Sequence, residues 1–257
     1  MSLNMKGLKK DKPKALSLEG VRVLLAIPMK GAMEPETFAS AWALHEELLL
    51  KGIPVDLRTV VGNSLVHHAR NRLVWEFLQS EATHLFFLDS DVVFDPEDVI
   101  RLLALATKFP VVCGSYPVKK DPITFALAQD RLELVANEYG LIPTYSGLGF
   151  TFIQRVVLED FNETEPHLIY GDSSQKMARV FRQTDDGVSA IGEDIQFFRD
   201  CEKKGYSVLT DPSIELGHKG SKEFRGRLLD KLSRVDGKRG QGTDNTLPLF
   251  DRAGVAA

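Results

Sequence analysis

The sequence predicts an α/β chain, a three-layer α/β/α sandwich around a mostly parallel central sheet. Two observations predict it. Short apolar runs of strand length alternate with longer stretches whose apolar residues recur at helical spacing. One such run, Leu85-Phe86-Phe87-Leu88, stops abruptly at Asp89-Ser90-Asp91. Four consecutive apolar residues suit a strand covered on both faces. Nothing apolar accounts for the two carboxylates, so they are expected at the strand's carboxyl end, facing the crevice where open α/β sheets bind ligands. Carboxylates this close repel unless a proton or cation intervenes. A hard divalent ion, Mg²⁺ or Mn²⁺, bridging to a diphosphate is the natural partner. The plainer reading is an acidic turn after a buried strand.

The 257 residues suffice for one large α/β domain or two small ones, and 43% apolar content supports a substantial core. With 32 basic and 36 acidic residues the net charge is -4, so no global basic field invites nucleic acid. Cys113 and Cys201 are far apart and suggest neither a disulfide framework nor a zinc site, which points to a reducing cytoplasm. No apolar run approaches the roughly 18 residues that span a bilayer. Residues 1–19 read as a flexible Lys-rich leader, 20–228 as the folded domain, and 229–257 as a polar tail.

In order, Val21–Ile27 is a first strand, ended by Pro28. Pro35–Leu50 is a helix with Phe38, Ala41, Trp42, His45 and Leu49 on its apolar face. Val55–Val61 is a second strand. Asn63-Ser64 caps a helix to about Gln79, whose first half carries His67, His68, Arg70, Asn71 and Arg72. Basic side chains at a helix N-terminus favour anions, although from position alone a solvated polar face is the better explanation. After the carboxylates, Asp95-Pro96-Glu97-Asp98 supplies an N-cap, a proline at the first helical position and acids in the first turn.

Pro110–Ser115 is a fourth strand, followed by Tyr116-Pro117-Val118-Lys119-Lys120, where a lysine could meet phosphate or equally well face solvent. Ser146-Gly147-Leu148-Gly149-Phe150 leads into a further strand, its glycines suggesting close backbone approach. Residues 162–190 lack periodicity and read as a long polar loop: a lid, a binding loop or a disordered segment. Gly192-Glu193-Asp194 opens a helix ending at Gly205. Ser207–Thr210 is a late strand, and His218 with Lys219 follows it in a glycine-flanked loop.

Together these motifs resemble the GT-A glycosyltransferases, which use a nucleotide-sugar donor, over about Val21–Gly226. Asp89-Ser90-Asp91 matches the family's Asp-x-Asp metal motif. Glu193-Asp194 matches the motif that supplies the catalytic base of inverting members. His218 falls at the position of its metal-binding histidine. Ala69-Arg70-Asn71, Tyr116-Pro117-x-Lys119 and Gly147-x-Gly149-Phe150 are similar to a bacteriophage and bacterial subgroup of unassigned acceptor.

The resemblance implies a GT-A type, Rossmann-like fold and a Mn²⁺- or Mg²⁺-dependent, hexosyltransferase-like enzyme with a UDP- or GDP-sugar donor. The ion would be held by Asp91, by Asp89 directly or through water, and by His218. Asp194 would be the base, with Glu193 second. Arg70, Asn71 and Ser90 would position the nucleotide or the Asp-x-Asp loop, and Lys119, Lys219 and Lys222 would add charge at the phosphates. The acceptor hydroxyl could belong to a glycan, a lipid-linked sugar, a protein or modified DNA. Two other readings stand beside this one. A haloacid-dehalogenase-type phosphatase would use Asp89 as nucleophile. A catalytically inactive module of the same fold would only bind nucleotide-sugars.

Overall fold

The computed structural model describes residues 2–4, 16–127, 133–170 and 174–234. Much of the expected leader and tail therefore lies outside the described residues. The elements are β1 (Ser2–Asn4), β2 (Val23–Met29), α1 (Pro35–Leu50), β3 (Val55–Val61), α2 (Val66–Leu78), β4 (His84–Leu88), β5 (Val92–Val93) and α3 (Pro96–Ala106). Next come β6 (Val111–Gly114), β7 (Glu133–Val135), β8 (Phe150–Gln154), α4 (Arg155–Thr164), β9 (His167–Ile169), β10 (Lys176–Ala178), β11 (Thr184–Asp185) and β12 (Ala190–Ile191). The last are α5 (Glu193–Lys203), β13 (Val208–Asp211), β14 (Glu215–Lys219), β15 (Glu223–Arg227), a 3-10 turn over Leu228–Lys231, and β16 (Ser233–Arg234).

The central sheet has six strands in the order β13-β6-β8-β4-β2-β3. All neighbours run parallel except β8, which enters antiparallel between β4 and β6. Val23, Leu25 and Ile27 pack with Leu44, Leu48 and Leu102 on one face; Leu24, Leu85 and Phe87 pack with Leu73, Phe77 and Phe197 on the other. The result is the expected mixed α/β architecture with helices on both sides of a mostly parallel sheet. The apolar run of β4 is buried throughout because it is covered on both faces.

Four local expectations change. The first is Pro28, which lies inside β2 rather than ending it. Val23 N–H donates to the Pro54 carbonyl and Gly62 N–H to that of Met29. Odd residues of β2 therefore bond toward β3 and even residues toward β4. Pairing with β4 stops at Ala26, so the N–H that Pro28 lacks has no strand to meet.

On α1 the buried stripe is Thr37, Ala41, Leu44 and Leu48, whereas Phe38, Trp42 and Leu49 are more than half exposed. Two apolar stripes share this helix, and contact with the sheet selects the one spaced by four, three and four residues.

The third change is in residues 162–190, which are no structureless loop. They hold the end of α4 and the antiparallel pairs β9–β10 and β11–β12, although 171–173 lie outside the described residues. Met177, Ala178, Val180 and Phe181 are buried. Strands of two or three residues are too short to show a period in sequence.

Finally, His218 sits in β14, not in a loop. It pairs with Val92 on one side and Phe224 on the other. At the margins of the expected domain, Leu18 joins the core and Leu229 and Leu232 pack with Leu134 and Ile142.

Candidate active site

β2, β4, β6 and the start of β8 bring their loops to one edge of the sheet, and the first turn of α5 meets them there. Asp89 follows β4 directly, with its N–H donating to the Gly149 carbonyl at 2.9 Å. Arg70 Nη2 donates to Asp89 Oδ1 at 3.0 Å, and the Tyr116 hydroxyl faces Asp89 Oδ2 at 3.4 Å. The other arm of the Arg70 guanidinium makes a short bond to Glu193. Arg70 is only 4% exposed and Glu193 is buried, while Asp89 is half-buried at the rim of the site. Burial works against the Arg70 charge, but Asp89 and Glu193 outweigh it and push the guanidinium's pKa up.

Two glycines make this packing feasible. A Cβ on Gly149 would lie 2.1 Å from Asp89 Oδ2, and one on Gly147 would lie 2.1 Å from the Tyr116 hydroxyl. Burial drives the Tyr116 phenol well above its ordinary pKa, with the Asp89 charge adding to it. Tyr116 is thus a neutral donor in the site. The strand-end position of Tyr116 and the Gly-x-Gly spacing were the signals in the sequence; that they fit together was not legible there.

Asp91 points into a different group. His218 Nε2 lies 3.4 Å from its Oδ1, and Lys119 Nζ lies 2.5 Å from its Oδ2. His218 Nδ1 is 2.8 Å from the Pro117 carbonyl, which only accepts, so Nδ1 carries a proton. In the neutral ring, Nε2 then presents a lone pair to a carboxylate. That arrangement calls for a proton or a cation between them. Burial of Asp91 resists ionisation, but the hydrogen bonds with His218 and Lys119 prevail and lower its pKa.

Among the described residues no group of three or more His, Cys, Asp or Glu side chains could hold an ion. The donor set that fits a divalent cation is Asp91 with His218. Water or a bound oxyanion would supply the remaining ligands, as hard ions of this kind accept. The two oxygens of Asp89 face Arg70 and Tyr116 instead.

The other expected residues are placed as follows. Asp194 accepts from Ile195 N–H at 2.8 Å, and burial raises its pKa, with Glu193 adding to the effect. Ser90 contributes its carbonyl, which accepts from Glu34 N–H at 2.9 Å and ties down the β2–α1 loop. Asn71 is buried and clamps both backbone groups of Phe181, each at 2.8 Å. A solvated polar face on α2 is thereby overturned at these two positions: Arg70 and Asn71 both point inward. Lys219 pairs with Glu36 at 2.6 Å and Lys222 with Asp121 at 2.6 Å. Neither ammonium is on Asp91, whereas the backbone N–H of Lys219 donates to the Asp91 carbonyl at 2.8 Å.

No family model matches the chain, and no curated protein matches it. Solved structures give distant likenesses. One is a glycosyltransferase involved in glycosylation of the major capsid of PBCV-1, at 14% identity and TM-score 0.30, covering 55% of this chain and 63% of that one. Another is the 4-diphosphocytidyl-2C-methyl-D-erythritol synthase of Anaerococcus prevotii, at 10% identity and TM-score 0.30, covering 57% and 80%. A third is the inositol-1-phosphate CTP transferase of T. maritima, at 11% identity and TM-score 0.38, covering 73% and 84%. The chain thus spans less than two thirds of the first of these. Likenesses this distant assign neither family nor activity.

Proposed function

We propose that the chain is a cation-assisted glycosyltransferase, moving a sugar from a nucleoside-diphosphate donor to a hydroxyl acceptor. The observation that carries this reading is the convergence of Asp91, His218 Nε2 and Lys119 at the carboxyl edge of the sheet. Beside it, Arg70 links Asp89 to the first turn of α5, which carries Asp194. One side of the site suits a diphosphate with its counter-ion; the other offers a base.

Asp91 and His218 would hold Mn²⁺ or Mg²⁺, and such an ion acts as a Lewis acid that neutralises charge on a departing diphosphate. Neutral imidazole favours Mn²⁺ over Mg²⁺. When the donor binds, Lys119 exchanges the Asp91 carboxylate for a phosphate oxygen and adds a second positive charge there. Asp194 accepts the proton of the acceptor hydroxyl as it attacks the anomeric carbon. Its pKa, raised by burial, makes it a stronger base than an exposed aspartate. Arg70 holds Glu193 and Asp89 in line, fixing the first turn of α5 against the strand end. The phosphatase alternative fares worse, because Asp89 is held by Arg70 and Tyr116 rather than presented as a nucleophile.

Calorimetric titration with UDP and GDP, with and without Mn²⁺, tests the proposal. Mn²⁺-dependent binding that Asp91→Asn abolishes is the expected result. Binding that ignores both Mn²⁺ and that substitution would remove the ion from the reading, and absence of nucleotide binding would end it.

A further inference from the structure

β3 is the last strand of the central sheet, and among the described residues nothing pairs its outer side. Asp56, Leu57, Arg58, Thr59 and Val61 are exposed on it. An unpaired edge of seven residues is a template for another strand unless something blunts it. Its hydrogen-bonding phase is set by its inner side. Pro54 accepts from Val23, and Gly62 donates to Met29, so the even residues of β3 bond inward to β2. The N–H and C=O groups of Val55, Leu57, Thr59 and Val61 therefore point outward. The Arg58 guanidinium confirms the phase, since its Nη1 donates to the Leu57 carbonyl at 2.9 Å.

We infer that this edge is a dimerisation surface, in which β3 pairs antiparallel with β3 of a second copy about a two-fold axis at Leu57. The choice of occupant rests on self-complementarity of charge. With the axis at Leu57, outward-bonding residues face each other as hydrogen-bonded pairs, Leu57 with Leu57 and Val55 with Thr59. Asp56 then stands opposite Arg58 of the other copy, twice by symmetry, in the non-hydrogen-bonded positions where side chains come closest. Shifting the axis to Arg58 would set two guanidinium groups face to face. Shifting it to Thr59 would put Arg58 opposite Val60 and leave Asp56 without its cation. Only the Leu57 register satisfies both charges, and it also covers Leu57, which is 54% exposed. In forming the dimer, Arg58 releases the Leu57 carbonyl, which then accepts from the Leu57 N–H of the second copy. The sheet becomes continuous across the two copies, and the carboxylate site, at the carboxyl end of β4 two strands in from β3, is not part of the paired edge.

Sedimentation velocity of the full chain over micromolar to sub-millimolar concentrations tests this, comparing wild type with Asp56→Arg, Arg58→Asp and the double exchange. Wild type should show a concentration-dependent dimer. Each single change places like charges opposite each other twice and should weaken the dimer by roughly tenfold or more. The double exchange should restore it. Hydrogen exchange provides an independent reading: the Leu57 and Thr59 amides should gain protection with concentration in wild type and not in the single variants. A wild type that stays monomeric throughout, or a double exchange that fails to recover dimerisation, overturns the inference. Both substituted side chains are on an exposed edge, and circular dichroism of each variant establishes that the fold is kept.

Discussion

His218 Nε2 faces Asp91 Oδ1 at 3.4 Å, while the opposite ring nitrogen is anchored on the Pro117 carbonyl. Pairing of His218 with Val92 in the β14–β5 ladder holds the imidazole over the strand-end turn. The relationship joins two residues 127 positions apart in the chain. Removing the imidazole by His218→Ala should weaken Mn²⁺ affinity in the nucleotide complex by about tenfold or more. Titrating Mn²⁺ against a fixed nucleoside diphosphate measures this, and an unchanged midpoint would remove His218 from the ion's ligands.

Arg70 predicts a stability effect distinct from any effect on activity. It is a buried cation between half-buried Asp89 and buried Glu193, so Arg70→Met leaves both carboxylates without their counter-charge. The expected loss is about 3–5 kcal/mol. Arg70→Lys should recover only part of it, because an ammonium does not supply the two-armed fork. Urea denaturation of the three proteins decides the matter, and a loss within experimental error for Arg70→Met would mean that the triad is not a stabilising unit.

Asp194→Asn separates chemistry from donor binding. The rate of transfer should fall by about 10²- to 10⁴-fold with nucleotide affinity intact. In the wild type, activity should be lost on acidification as Asp194 takes up a proton. Because burial raises its pKa, that loss should begin above the ordinary Asp value of 3.8. A profile unchanged by the substitution would assign the base elsewhere.

Gly149→Ala tests the close packing under the carboxylate. The new methyl would lie 2.1 Å from Asp89 Oδ2 and 2.7 Å from its Cβ, so the whole side chain must move. About 1–3 kcal/mol of stability should be lost, together with nucleotide affinity. Alanine at Gly31, where a Cβ meets nothing within 4 Å, is the control.

Asp98 predicts a pH effect of opposite sign to that of most carboxylates. Burial, then the neighbouring charge of Asp211, raises its pKa from 3.8 to about 6. Between those values the folded chain holds a proton that the unfolded chain has released, so this group's contribution to stability falls as pH rises. Asp98→Asn should therefore add about 1 kcal/mol near pH 8, after allowance for partial exposure, and little near pH 4. Equal effects at both pH values would refute the assignment.

Much of the frame was written locally. α1 spans Pro35–Leu50 and β3 spans Val55–Val61 as expected, because apolar period, a proline at the helix start and Gly52 with φ 68 are short-range signals. Asp95 caps α3 through Glu97 N–H for the same reason. The crevice position of Asp89 and Asp91 followed from an apolar run with nowhere to continue. What only the tertiary structure decided is which groups meet. β8 enters the sheet antiparallel between β4 and β6, which puts Gly147 and Gly149 beneath Tyr116 and Asp89. Which of two apolar stripes on α1 was buried depended on the sheet it packs against. Arg70 and Asn71 resemble surface residues in a helix rich in polar side chains, and they are buried because Asp89, Glu193 and the backbone of Phe181 satisfy them. A polar side chain's burial is set by partners far away in sequence, while strand and helix periods are set by neighbours a few residues apart.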